Sequence, residues 1–155
     1  IIDKAWAVVN EIAPQMFADD LDIIQGADNI LKMVSFSGLK IGLVTSTQKH
    51  YLEIKMLPLK NAEVDKLIEV IITSDDVEER KPAPDALLMC AQQLALQPAN
   101  CVYVGDTTTD MKSGKAAGMH TIGVLTGFDD YDALNKEQPD AIIDSIRNLS
   151  DVIAF

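Results

Sequence analysis

The sequence predicts an α/β fold, with a mostly parallel sheet and helices on both faces. Three observations carry this expectation. Short apolar runs of strand length alternate with runs whose apolar residues recur at three- and four-residue steps. Repeated along a chain, that alternation builds βαβ units. The polar residues capable of chemistry also fall just past the ends of the apolar runs, where sheets of this kind bind ligands.

Taken in order, residues 2–17 place Ile2, Ala5, Trp6, Val9, Ile12, Ala13 and Met16 on one helical face, with Pro14 bending or ending it. Gly26 breaks the chain before a short helix, "ADNILKMV", and Ser37 and Gly38 make the next turn. "LKIGLVTST" reads as a buried strand ending in Thr45, Ser46 and Thr47, hydroxyls placed to cap the helix "QKHYLEIKML", which Pro58 stops. A second strand spans 69–73. The polar loop "SDDVEERKPAP" leads into the helix "DALLMCAQQLAL", whose face is Leu87, Leu88, Cys90, Ala91 and Leu94. "CVYVG" is a third strand, followed by the helix "MKSGKAAG" with Gly118 at its C-terminal cap. "HTIGVLTG" is a fourth strand, "DALNKEQ" a short helix, "DAIID" a fifth strand and "SIRNLSDVIAF" a closing helix.

With 155 residues, 48% hydrophobic and 24% charged, the chain has the size and composition of one globular domain with a core. The formal net charge of −11, with no basic run, excludes nucleic acid and anionic membrane as partners. No apolar run reaches the length of a membrane span. Two cysteines, Cys90 and Cys101, are too sparse for a disulfide framework; they read as buried small hydrophobes in a reduced, cytoplasmic protein. The chain begins "IIDKAW" without a methionine, so its start is no evidence about a leader. His50 and His120 have no Cys or His neighbours at zinc-ligand spacing, and no Gly-rich phosphate loop of Walker or dinucleotide type is present.

Three features lie at strand ends or just beyond them. Thr45 and Ser46 read either as a turn and helix cap or as a phosphate cradle of hydroxyl and backbone donors. Lys81 reads either as a solvated charge or as a cation held in place by Pro82 and Pro84, able to neutralise a phosphoryl group or a carboxylate. Asp106 and Asp110, four residues apart where "CVYVG" hands over to a helix, are the strongest signal. Helix capping explains one of them. Two neighbouring carboxylates repel unless a cation joins them, and a hard ion with few protein ligands points to Mg²⁺.

Together "GLVTST", "KPAPDALLMCAQQL" and "CVYVGDTTTDMKSGKAAGMHTIGV" resemble the second, third and fourth motifs of the haloacid dehalogenase-like hydrolase superfamily, in its phosphoglycolate phosphatase-like branch. The resemblance implies a Rossmann-like core over 21–155 and the end of a helical cap domain over 1–20. It implies that Thr45 hydrogen-bonds the transferring phosphoryl group, with the Ser46 backbone assisting. Lys81 would neutralise phosphoryl charge and orient the nucleophile. Asp106 would ligate Mg²⁺, and Asp110 would support the metal directly, through water or through Lys81. The activity implied is Mg²⁺-dependent hydrolysis of a small phosphorylated metabolite through an aspartyl-phosphate.

One departure is large. The family's first motif, Asp-x-Asp on a strand near the N-terminus, is absent; "LDI" at 21–23 and "DDLD" at 19–22 follow a helix and lack the preceding apolar strand. In the family that strand lies between those carrying the second and fourth motifs. The expectation is a gap between "KIGLV" and "CVYV", with the missing strand and most of the cap encoded elsewhere in the parent protein. The alternatives are a deliberate fragment and a strand supplied by another chain. Competing functions are a sugar phosphomutase of the same branch, disfavoured by Gly105 where those relatives tend to carry Glu, a phospho-accepting receiver domain, disfavoured by the order of Lys81 and the acidic pair, and a non-catalytic relative. Neither the substrate nor the oligomeric state is legible in the sequence.

Overall fold

The apolar runs become short parallel strands packed against helices. A computed structural model describes residues 21–153. The opening helix predicted over 2–17 and the cap assignment of 1–20 lie outside the described residues. Strand β1 (Gly42–Val44) pairs in parallel with β2 (Val70–Ile72), matching Leu43 to Ile71. Strand β3 (Val102–Gly105) pairs in parallel with β4 (His120–Val124), and β4 with β5 (Ala141–Ile143). Among the described residues no ladder joins β1 to β3, so the sheet is in two pieces, β1–β2 and β3–β4–β5. The break falls where the sequence left out a strand.

Helix α1 (Ala27–Phe36) starts after Gly26, whose φ of 83° is open to glycine at little cost, and ends at Gly38, φ 76°. It buries Ile30 against Ile122, Val124, Ile143 and Leu149, one face of the three-stranded piece. The alternate residues of β4 point the other way, where Gly123 meets Leu134 and Thr121 meets Gly114. Those contacts come from α6 (Tyr131–Lys136) and α5 (Thr108–Ala116), so helices cover both faces. A Cβ on Gly114 would lie 2.5 Å from the Thr121 methyl, so the glycine sets how closely α5 sits on the sheet. Helix α4 (Asp85–Gln93) covers the two-stranded piece through Ala86 and Cys90, joined by Leu94 and packed on Ile72, Val44 and Val70.

Three local expectations change. Pro58 does not stop a helix: α2 (Lys49–Lys55) ends first, and Pro58 sits in the opening turn of α3 (Leu57–Asn61), where its missing N–H costs nothing. The hydroxyls of residues 45–47 do not cap α2. Its cap residue is Gln48, and Asp75, from the loop after β2, accepts the Lys49 N–H at 2.8 Å. The closing helix is 3₁₀ over Ile146–Asp151. Cys90 is buried as expected, whereas Cys101 is only half-buried and its thiol donates to the Gln97 carbonyl at 3.4 Å. No helix among the described residues is long and apolar enough to cross a membrane.

Candidate active site

Thr45, Ser46 and Asp106 lie just past the carboxyl ends of β1 and β3, Asp110 lies in the first turn of α5, and Lys81 lies in the long loop that follows β2. Thr45 follows β1; its N–H donates to the Ile72 carbonyl at 2.9 Å, extending the pairing by one step. Its hydroxyl donates to Thr47 Oγ1 at 2.9 Å and accepts the Thr47 N–H at 3.1 Å, a local turn of the kind threonine favours. Ser46 is exposed beside it. A narrow crevice is lined by Thr45, Ser46, Thr73, Ser74, Arg80 and Lys81, so the fold brings the hydroxyl pair and the lysine together. Arg80, read from the sequence as a surface residue, is exposed but borders this crevice.

Lys81 is fixed by more than its flanking prolines. Its ammonium donates to Asp110 Oδ1 at 2.7 Å and to the Tyr103 hydroxyl at 3.1 Å, and its side chain is only 13% exposed. Lysine has three donors, so these two bonds leave one for a ligand. The Ser113 hydroxyl donates to the Ala83 carbonyl at 2.8 Å, tying the same loop to α5. This loop therefore links the two pieces of the sheet across the break.

Asp110 is saturated. Besides Lys81 it accepts from the Tyr103 hydroxyl at 2.9 Å, the Thr107 hydroxyl at 2.7 Å and the Thr107 N–H at 3.1 Å. The Thr107 hydroxyl in turn accepts the Asp110 N–H, completing a capping box at the start of α5. Burial pushes the Asp110 carboxyl up, but the hydrogen bonds from Lys81 and Thr107 outweigh it and hold the group below its ordinary value. Burial, reinforced by the Asp110 charge, raises the Tyr103 phenol, which stays a neutral donor. Gly105 admits this carboxylate: a Cβ there would overlap the Asp110 side chain.

Asp106 is different. Its Oδ2 accepts the Phe128 N–H at 2.9 Å, while Oδ1 has no protein partner among the described residues. Asp129, from the loop after β4, accepts the Thr108 N–H at 2.6 Å, so a carboxylate from another loop already meets the first N–H of α5. Among the described residues no three His, Cys, Asp or Glu side chains converge on a metal. The donor set nevertheless suits Mg²⁺, which keeps several waters and takes one or two carboxylates. Asp106 is the group with an oxygen to give. Sequence reasoning missed Tyr103, hidden inside the apolar run "CVYVG", and residues 127–129, whose signal is a glycine followed by Phe-Asp just after a strand.

The family model for haloacid dehalogenase-like hydrolase matches residues 2–124. The chain belongs to that family. A phosphoglycolate phosphatase of Escherichia coli (strain K12) is 36% identical over 153 residues, 96% of this chain and 55% of the relative. The chain thus spans about half the length of the curated relatives it matches. Among solved structures, a candidate β-phosphoglucomutase from Thermotoga maritima superposes with TM-score 0.84 at 24% identity, covering 99% of this chain and 71% of that one, a likeness of fold alone. A HAD family hydrolase from Deinococcus radiodurans R1, solved with bound phosphate and sodium, gives TM-score 0.73 at 28% identity, covering 83% and 57%. The haloacid dehalogenase-like core accounts for the parallel strands, the helices on both faces and the position of the break.

Proposed function

We propose that the protein is a Mg²⁺-dependent phosphatase acting on a small phosphorylated metabolite, the attacking aspartate lying outside these 155 residues. The observation that carries this reading is Lys81, held by Asp110 and Tyr103 at the wall of a crevice that Thr45 and Ser46 also line, with one Asp106 oxygen unpartnered among the described residues. The phosphatase name of the Escherichia coli relative and the phosphate bound in the Deinococcus radiodurans structure support it.

In this reading Thr45 and the Ser46 backbone receive the phosphoryl oxygens at the end of β1. Lys81 points its remaining donor at the same group, and its charge offsets the negative charge of the transferring phosphoryl. Asp110 and Tyr103 hold the lysine so that no reorganisation is needed when that charge builds up. Asp106 would hold Mg²⁺, with Asp110 supporting it through Lys81; when bound, the ion would supply further charge neutralisation at the phosphoryl group. Gly105 favours a phosphatase over a phosphomutase, because phosphomutases of this branch tend to carry glutamate there, and in this chain any side chain at that position would meet Asp110.

The test is hydrolysis of a generic phosphomonoester by the full-length gene product, with and without Mg²⁺. Activity that depends on Mg²⁺ and is lost in Asp106→Asn is expected. Activity indifferent to both EDTA and Asp106→Asn would refute the metal assignment.

A further inference from the structure

The loop between β4 and α6, residues 125–130, is tied to the β3–α5 turn more closely than the fold requires, since β3 and β4 are already paired along their length. Its start is fixed to β5 by the Leu125 N–H donating to the Ile143 carbonyl at 3.0 Å. Its end is fixed to α6 by Asp130, which accepts the Ala133 N–H at 2.9 Å. Between these anchors three bonds reach the neighbouring turn. The Phe128 N–H donates to Asp106 Oδ2 at 2.9 Å, the Asp129 N–H donates to the Asp106 carbonyl at 3.1 Å, and Asp129 Oδ2 accepts the Thr108 N–H at 2.6 Å. Gly127 makes the approach possible, because a Cβ there would overlap the Asp106 carboxylate. Its φ is not in the left-handed region, so the requirement is for space and not for an unusual backbone.

We propose that this loop is a positioning device for Asp106. Gly127 supplies the space, the Phe128 backbone holds one carboxylate oxygen, and Asp129 is a positioning residue that locks the loop onto α5. A free aspartate turns about two side-chain torsions; one oxygen bonded to a backbone anchored at both ends no longer does. Oδ1 is then presented at a single place. The inference rests on Asp106 being a metal ligand, and the partners that orient a ligand are worth about ten- to a hundredfold in metal affinity.

Mn²⁺ is the probe, titrated into the full-length protein and followed by loss of the free-ion paramagnetic resonance signal, with thermal unfolding recorded alongside. Asp129→Ala is expected to weaken Mn²⁺ binding by about ten- to a hundredfold. Asp129→Asn keeps an oxygen for the Thr108 N–H and is expected to stay near wild type, which separates position from charge. Thr108→Pro removes the donor instead. Proline is favoured at the first helical position, and Thr107 before it is already extended (φ −127°, ψ 154°), so the backbone accepts proline here, and the variant should weaken Mn²⁺ as Asp129→Ala does. Wild-type affinity in folded Asp129→Ala or Thr108→Pro, with binding lost in Asp106→Asn, overturns the positioning role and leaves the metal reading standing. Equal binding by wild type and Asp106→Asn overturns both.

Discussion

Strand β4 and strand β3 have similar apolar sequences but very different surroundings. β4 has a parallel neighbour on each side, and every residue from Thr121 to Val124 is buried. Among the described residues β3 has one neighbour, and Val102 is 42% exposed; β1, across the break, has no buried residue at all. Continuous apolar runs are what strands buried on both faces require. β1 and β3 therefore carry the sequences of interior strands while standing at edges. The difference teaches that burial of a parallel strand comes from its neighbours, and that apolar character at an edge marks a missing one.

The two pieces are joined across this break by polar links, and that sets the largest expected effect. Asp110→Ala leaves the Lys81 charge buried without its carboxylate and removes the side-chain half of the capping box; a loss of about 3–5 kcal/mol is expected by denaturant titration. A loss below about 1 kcal/mol, the range of a surface pair, would mean that the link does not hold the pieces together. Leu134→Ala, under the fully flanked β4, is expected to cost about 2–5 kcal/mol, and Val102→Ala on the exposed edge far less. Equal costs would erase the contrast between the strands. Amide hydrogen exchange should show β4 protected well beyond β1 and beyond the open side of β3, since exposed ladders open at low free energy.

A smaller effect follows from the lowered Asp110 carboxyl. A group whose pKa is depressed in the folded state stabilises it fully above the unfolded value, about 3.9 for aspartate, and loses that contribution as pH falls through the folded value. Stability of the wild type should therefore hold down to about pH 4 and then decline, and the decline should be shallower in Asp110→Asn. An unchanged acid slope in that variant would show that the ion pair is not what acid breaks.

The architecture was largely legible because it rests on alternation and on punctuation. Each apolar run became a strand, Gly26, Gly38 and Gly118 each turn the chain with positive φ, and the break appeared where no apolar run was available. The errors came where a distant group outcompeted a near one. Thr45, Ser46 and Thr47 stand beside α2, yet Asp75 takes its first N–H. Pro58 looked like a stop because the sequence does not show that one helix has already ended. At the site the residue types were readable but not their division of labour. Asp106 and Asp110 look alike in "GDTTTD"; only the fold shows one with four hydrogen bonds and the other with an unpartnered oxygen. Tyr103 was invisible because a tyrosine in a strand pattern reads as packing.

The misplaced cap has its own consequence. Asp75 holds the N-terminal end of α2, and Asp76 next to it pairs with Lys49 and accepts from Thr73, so the loop that leads to Lys81 is fastened to the helix that follows Thr45 and Ser46. Whatever stills one of these loops has already removed disorder from the other. In the proposed phosphate site, two contacts on one anion would share a single loss of conformational entropy, and the second would form more cheaply than the first.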